Sequence, residues 1–156
     1  MKLSTRARYG LRCMIAVSKM GREDQPVPIA RVAQNTHISK RYLEQLAITL
    51  KNASLLRSVS GRGGGYHLAR PAEEIRIGEI VESAIGDINI VECVLCPEQC
   101  EKSDYCSCRG LYAQINRRIT DMFYEYTLAD LSDDDWDERM DLPGSALREP
   151  ETDSPK

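Results

Sequence analysis

Histidine and the large aromatics are scarce in this chain of 156 residues, which holds two His, one Phe and one Trp. His37 falls in a predicted turn and His67 in a predicted hairpin, neither with an evident nucleophile partner. Conventional acid–base or nucleophilic catalysis is therefore not expected, and both histidines are assigned polar surface roles. Long apolar runs are missing too. The longest, Cys13 to Val17, is about a quarter of the roughly 20 residues that a spanning helix needs, which excludes an integral helical membrane protein. No continuous apolar stretch leads to a small-residue cleavage site near the N-terminus, so the expectation is a cytoplasmic protein without a secretory signal. The glycine-rich GRGGGY lacks the lysine and following hydroxyl of a P-loop.

Charge is plentiful and unevenly spread. The whole carries 21 basic and 24 acidic side chains, a net charge of -3. Residues 1–70 hold 13 basic and 3 acidic side chains, whereas residues 71–156 hold 8 and 21. A basic half of that kind predicts a polyanion partner, because clustered Lys and Arg displace the counterions condensed on phosphates. The length suits one compact domain with an appendage.

Hydrophobic spacing predicts mostly helix. Ser4 or Thr5 caps a first helix whose apolar positions Tyr9, Cys13, Met14, Val17 and Met20 recur every three or four residues until Gly21. Ile29, Val32 and Ala33 mark a short second helix ending near Asn35 and Thr36. Ser39 then caps a third from Lys40 to about Asn52, with Leu43, Leu46, Ile48 and Leu50 as apolar positions. LLRSVS and YHLAR flank a glycine tip and read as a two-stranded wing. A further helix carries Ile77, Ile80, Val81 and Ile85 up to Gly86. Leu111, Ile115, Ile119, Met122 and Tyr126 form an apolar stripe on a helix of about five turns, flanked by polar Gln114, Asn116, Arg117, Arg118 and Asp121. TLADL adds one turn capped by Thr127, and the acidic remainder is expected to lack fixed structure.

The short helix, tight turn and third helix form a helix-turn-helix followed by a wing. A helix fits a major groove about 12 Å wide, with its N-terminal residues toward the base edges. Lys40, Arg41, Tyr42, Glu44 and Gln45 occupy that end. Glu44 suits cytosine and Gln45 adenine, while Ser39, Lys40 and Arg41 suit phosphates. Arg57 and Arg62 flank the wing, where a minor-groove or backbone contact suits a cation. The tip glycines let the backbone approach a phosphate closely.

The second constellation is CVLCPEQCEKSDYCSC, with Cys93, Cys96, Cys100, Cys106 and Cys108. Cytoplasmic cysteines are usually reduced, and the polar residues between these five make a loop, so they read as a ligand set for a soft metal. Their separations of 3, 4, 6 and 2 differ from the two spaced pairs of a structural zinc site and favour an iron–sulphur cluster (2Fe–2S or 4Fe–4S) over zinc or a metal-free thiol switch. Cys13 stands apart as a small buried hydrophobe.

MKLSTRARYGLRCMI, RYLEQL, SGRGGGYHLARP, IRIGEIV, the cysteine loop and TLADL together resemble the winged helix-turn-helix regulators of the IscR, NsrR, RirA and CymR type, over about residues 1–132. The resemblance implies a homodimeric transcription factor joined through the long helix after the cysteine loop. Several such proteins hold an iron–sulphur cluster and report on cluster supply, iron, nitric oxide or redox state; others lack one and act through a partner. The family's three cysteines match Cys93, Cys100 and Cys106. Arg109 stands where IscR-like members place a histidine, and Arg8 where NsrR-like members use an acidic residue. Cys96 or Cys108 is then the fourth ligand, with Cys108 preferred. Tyr42, Glu44 and Gln45 match the family's recognition residues, whereas the wing carries Ser60 where an arginine is common and Arg62 two positions on.

The expected fold is therefore mainly α with a small β-hairpin wing. It comprises a winged helix-turn-helix domain over 1–85, a cluster loop over 86–108, a dimerisation helix and terminal turn over 109–132, and a tail over 133–156. The expected partners are double-stranded DNA carrying an inverted repeat and a second copy of the chain, with no membrane. Leu111, Ile115, Ile119, Met122 and Tyr126 are the expected dimer contacts. A zinc-stapled or metal-free thiol-switch regulator and an iron–sulphur electron carrier are the competing readings.

Overall fold

A computed structural model describes residues 3–21 and 25–136. The first helix, α1 (Thr5–Met20), starts where Ser4 Oγ accepts the Ala7 N–H at 3.1 Å, and it buries Ala7, Cys13, Met14, Ala16 and Val17. These positions recur at helical spacing, so one face of α1 becomes the centre of the core. Helix α2 (Ile29–Thr36) ends at His37, whose left-handed φ of 55° closes the turn. Such a backbone is uncommon outside glycine and explains why a polar residue occupies that corner.

Helix α3 (Lys40–Asn52) begins where Ser39 Oγ accepts the Tyr42 N–H at 3.3 Å. It buries Leu43, Leu46, Ala47 and Leu50. Ile48 corrects the sequence reading. It lies about 140° around the helix from Leu43 and is 60% exposed, with Ala47 in the core instead.

Strands β1 (Leu56–Val59) and β2 (Gly65–Leu68) pair antiparallel, with Leu56 opposite Leu68 and Val59 opposite Gly65. Val27 joins this hairpin through two 2.9 Å backbone hydrogen bonds with Tyr66. A side chain at Gly65 would run into the Val27 carbonyl, so internal packing, not approach to a phosphate, demands glycine there. Gly61 and Gly63, with φ of 101° and 81°, turn the tip.

Helix α4 (Ile77–Ile85) packs across α1 and buries Ile77, Ile80, Val81 and Ala84. Ile85, expected among the apolar positions, is 42% exposed. A short turn, α5 (Glu92–Leu95), leads through the cysteine segment to α6 (Ser107–Glu125). Along α6, Ile119 and Phe123 lean on the core, whereas Leu111, Ile115 and Met122 stay exposed. Tyr126 departs from the expected stripe: the helix ends at Glu125, and Tyr126 is extended, its ring edge-on to Trp136 at 5.0 Å. Asn116, expected on the polar face, is buried.

The chain then folds back. Tyr126 O accepts the Ile77 N–H, the Leu128 N–H donates to Ile75 O at 2.8 Å, and α7 (Leu128–Ser132) inserts Leu128 fully into the core. Thr127 and Asp130 cap each other's backbone at the start of α7. Of the tail expected to be unstructured, Asp134 reaches Lys19 Nζ at 2.5 Å; residues 137–156 lie outside the described residues, as do Arg22, Glu23 and Asp24. Among the described residues no helix is long and apolar enough to cross a membrane.

Candidate nucleic-acid interface and thiol centre

Burial of Leu43, Leu46, Ala47 and Leu50 forces the opposite side of α3 outward, so Lys40, Arg41, Glu44 and Gln45 are exposed together. Ser39 is exposed although its hydroxyl serves the cap. Lys40 Nζ lies 3.7 Å from Glu44 Oε1, an exposed pair worth little to stability and free to open toward a phosphate. Tyr42 is half-buried and sets its ring edge-on to Tyr9 at 5.6 Å, which ties the start of α3 to α1.

An open groove of about 430 Å³ runs between the starts of α2 and α3 and the wing, lined by Pro28, Lys40, Ser58, Ser60 and Tyr66 among others. Lys40 and Ser60 therefore share one surface. Arg57 does not join them. It alternates with Ser58 along β1, so it faces a separate hollow of about 420 Å³ with His67, Arg70 and Ser18. Arg62 is exposed at the wing tip.

Three contacts went unread in the sequence. Arg6 Nη2 donates to Thr49 Oγ1 at 3.0 Å, Lys51 Nζ donates to Ser58 Oγ at 3.4 Å, and the Arg12 guanidinium sits 5.9 Å above the Tyr9 ring. The basic excess of residues 1–70 signalled such cations but not their places.

The thiol segment is positioned from α6. Asn116 Oδ1 accepts the Ile90 N–H at 3.0 Å and its Nδ2 donates to Ile88 O at 3.1 Å, so the strand of chain entering the segment is clamped on a buried amide. Arg109 Nε donates to Cys93 O at 3.2 Å. Cys106 precedes the first residue of α6 without a side-chain capping bond, Cys108 is the helix's second residue, and Cys93 lies on α5, which packs against α6. Tyr112, one turn beyond Cys108, has its phenol held above the usual range by the Cys108 thiol, through charge and then a hydrogen bond, with smaller effects from Cys106 and Cys93. Cys93 on α5 and Cys106 and Cys108 at the start of α6 thus stand on elements that pack together.

Cys96 ends α5. Desolvation and then the Glu98 and Glu92 carboxylates push its thiol up. Cys100 is half-buried between two short 3₁₀ turns. All six cysteines are free thiols, and Cys13 is fully buried, which pushes it up to about 12 and makes it inert. Among the described residues no three Cys, His, Asp or Glu side chains converge closely enough to hold a metal ion.

A small helical domain presenting a capped helix beside a glycine-tipped wing on a basic surface defines a winged-helix transcriptional regulator. The chain belongs to the Rrf2 family, described as an iron-dependent transcriptional regulator, whose pattern matches residues 3–134. It is 37% identical over 134 residues to protein rrf2 of Nitratidesulfovibrio vulgaris, covering 86% of this chain and 89% of that one. It is 34% identical over 131 residues to the HTH-type transcriptional regulator IscR of Pectobacterium atrosepticum, covering 84% and 79%. The structure of CymR, the global cysteine regulator of B. subtilis, superposes with a TM-score of 0.70 at 34% identity, covering 85% of this chain and 96% of that one. These relatives are regulators of transcription and not enzymes.

Proposed function

We propose that this regulator binds an inverted-repeat operator as a cytoplasmic homodimer and adjusts its grip through an iron–sulphur cluster held by Cys93, Cys100, Cys106 and Cys108. The observation that carries the reading is the set of five free thiols between Cys93 and Cys108, with Cys93 on α5 packed against the start of α6, where Cys106 and Cys108 stand. The donor set fits such a group in kind, because reduced, partly exposed thiols are the ligands iron–sulphur clusters take. Cys100, in the turn between them, closes the set when the segment tightens. A bound cluster supplies a cross-link across residues 93–108 that oxidation or loss of iron can undo.

The chain's own residues give that cross-link a route to the wing. Arg76 Nη1 donates to Glu125 O at the end of α6 at 3.2 Å. The Arg76 N–H donates to Glu79 Oε2, which also accepts from Arg70 Nη2 at 2.8 Å at the base of the wing. A shift of α6 therefore pulls on the element that carries Arg57 and Arg62. Exposed Leu111, Ile115 and Met122 supply the apolar face for a second copy. Two recognition helices must sit about 34 Å apart to meet successive turns of duplex, so small rotations at that face change affinity. Binding weakens with salt as phosphate contacts release counterions.

Anaerobic purification with iron and acid-labile sulphide analysis tests the cluster. Brown protein with visible absorption is expected, and Cys100→Ala or Cys106→Ala abolishes it. Full absorption in either variant rejects that ligand. Colourless protein with stoichiometric zinc replaces the reading with a zinc-stapled regulator, and metal-free protein whose thiols oxidise reversibly replaces it with a thiol switch.

A further inference from the structure

The outward side of α3 holds one large apolar residue that neither the core nor the sensing segment uses. Ile48 is 60% exposed. At about 100° per residue it lies within about 60° of Arg41, Glu44 and Gln45, on the same side as all three. Polar contacts bracket it: the Arg6–Thr49 hydrogen bond on one flank, the Lys51–Ser58 hydrogen bond on the other, and the Lys40–Glu44 pair one turn before. A lone apolar spot within a polar, cationic surface is too small to seat a protein partner. It matches a smaller target. The C5-methyl of thymine is the apolar group that base pairs display in the major groove.

We infer that Ile48 is a specificity-determining residue that packs on a thymine methyl in the major groove, one helical turn beyond the bases met by Glu44 and Gln45. The inference rests on the proposed DNA reading by α3 and adds a position to it. Ile48 is mostly exposed and outside the buried core, and alanine favours helix, so Ile48→Ala keeps the fold.

The full chain is used to select bound duplexes from a random pool, and each thymine of a selected duplex is then exchanged for deoxyuridine, which removes only the methyl. At one thymine per recognition helix the exchange weakens the natural chain by about fourfold, the worth of one buried carbon, and leaves Ile48→Ala unaffected. An equal deoxyuridine effect in Ile48→Ala at every position, or none in the natural chain, overturns the assignment while the DNA reading stands. If Ile48→Ala changes the sedimentation coefficient but not the methyl dependence, the residue belongs to a contact between copies and the assignment fails. If no duplex is enriched, the reading of α3 itself fails and the assignment falls with it.

Discussion

The winged half and the thiol half of this chain are held together by different means. In the winged half every helix buries an apolar side against the same cluster, with Met14, Leu43, Leu50, Leu55 and Ile80 fully enclosed. In the thiol half Asn116 is the buried residue of α6, and the segment from Cys93 to Cys108 rests on short turns, half-buried thiols and the hydrogen bonds of Asn116 and Arg109. Density of apolar packing sets the difference. A packed core tolerates little rearrangement, whereas a segment with few buried contacts opens at low cost and takes the shape its ligand demands. A reader of duplex needs the first property, and a sensor needs the second.

Core truncation breaks the comparison most strongly. Leu50→Ala, at a site that is 1% exposed, costs about 2–5 kcal/mol by urea melting. Leu111→Ala, at a site that is 60% exposed, leaves the melting of the protomer nearly unchanged and shifts the sedimentation of the assembled protein toward the monomer. Equal losses for the two would erase the distinction between the halves.

Asn116→Ala sharpens it. Removal of the buried amide strands the Ile90 N–H and the Ile88 carbonyl, at about 1–3 kcal/mol. Hydrogen exchange should quicken over residues 88–108 while α3 keeps its protection. A uniform rise in exchange would show that the thiol segment is no separate unit.

The smallest effect concerns the seam between α4 and α6. The Tyr124 hydroxyl donates to Glu82 Oε2 at 2.5 Å, and its ring lies so close to Gly78 that a side chain there would collide with it. That hydrogen bond, then burial, pushes the phenol up to about 12 from its ordinary 10.0. The folded state thus favours the protonated phenol, so this stability is complete below pH 10 and is lost as pH rises toward 12. Thermal melting of the natural chain should fall more steeply over that window than melting of Tyr124→Phe. Parallel curves would detach the phenol from the seam.

The same contrast governs what could be read from the residues alone. Caps at Ser4, Ser39 and Thr127, the two-stranded hairpin and the left-handed corner at His37 follow from local chemistry; the caps and the hairpin were legible, while its register and the corner were not. Periodicity also named the helical core positions Cys13, Met14, Val17, Val32, Leu43, Leu46, Leu50, Ile77, Ile80 and Val81, because burial and helical spacing express one constraint. It misplaced Ile48 and Ile85, since an apolar side chain in a helix reads as core whichever way it faces. Asn116 was hidden for the converse reason: its partners, Ile88 and Ile90, lie more than twenty residues away and leave no local signal. The five thiols announced a ligand set by composition, but the placing of Cys93 against the start of α6, where Cys106 and Cys108 stand, depends on how α5 meets α6.

One comparison of affinities decides whether the thiol segment governs DNA binding. Anaerobically prepared, iron-loaded protein and the same protein stripped by chelator are titrated against a selected duplex at fixed ionic strength, with fluorescence anisotropy as the readout. A change in Kd of tenfold or more, abolished in Cys106→Ala, is the predicted result. Superimposable isotherms for the loaded and stripped forms would contradict it.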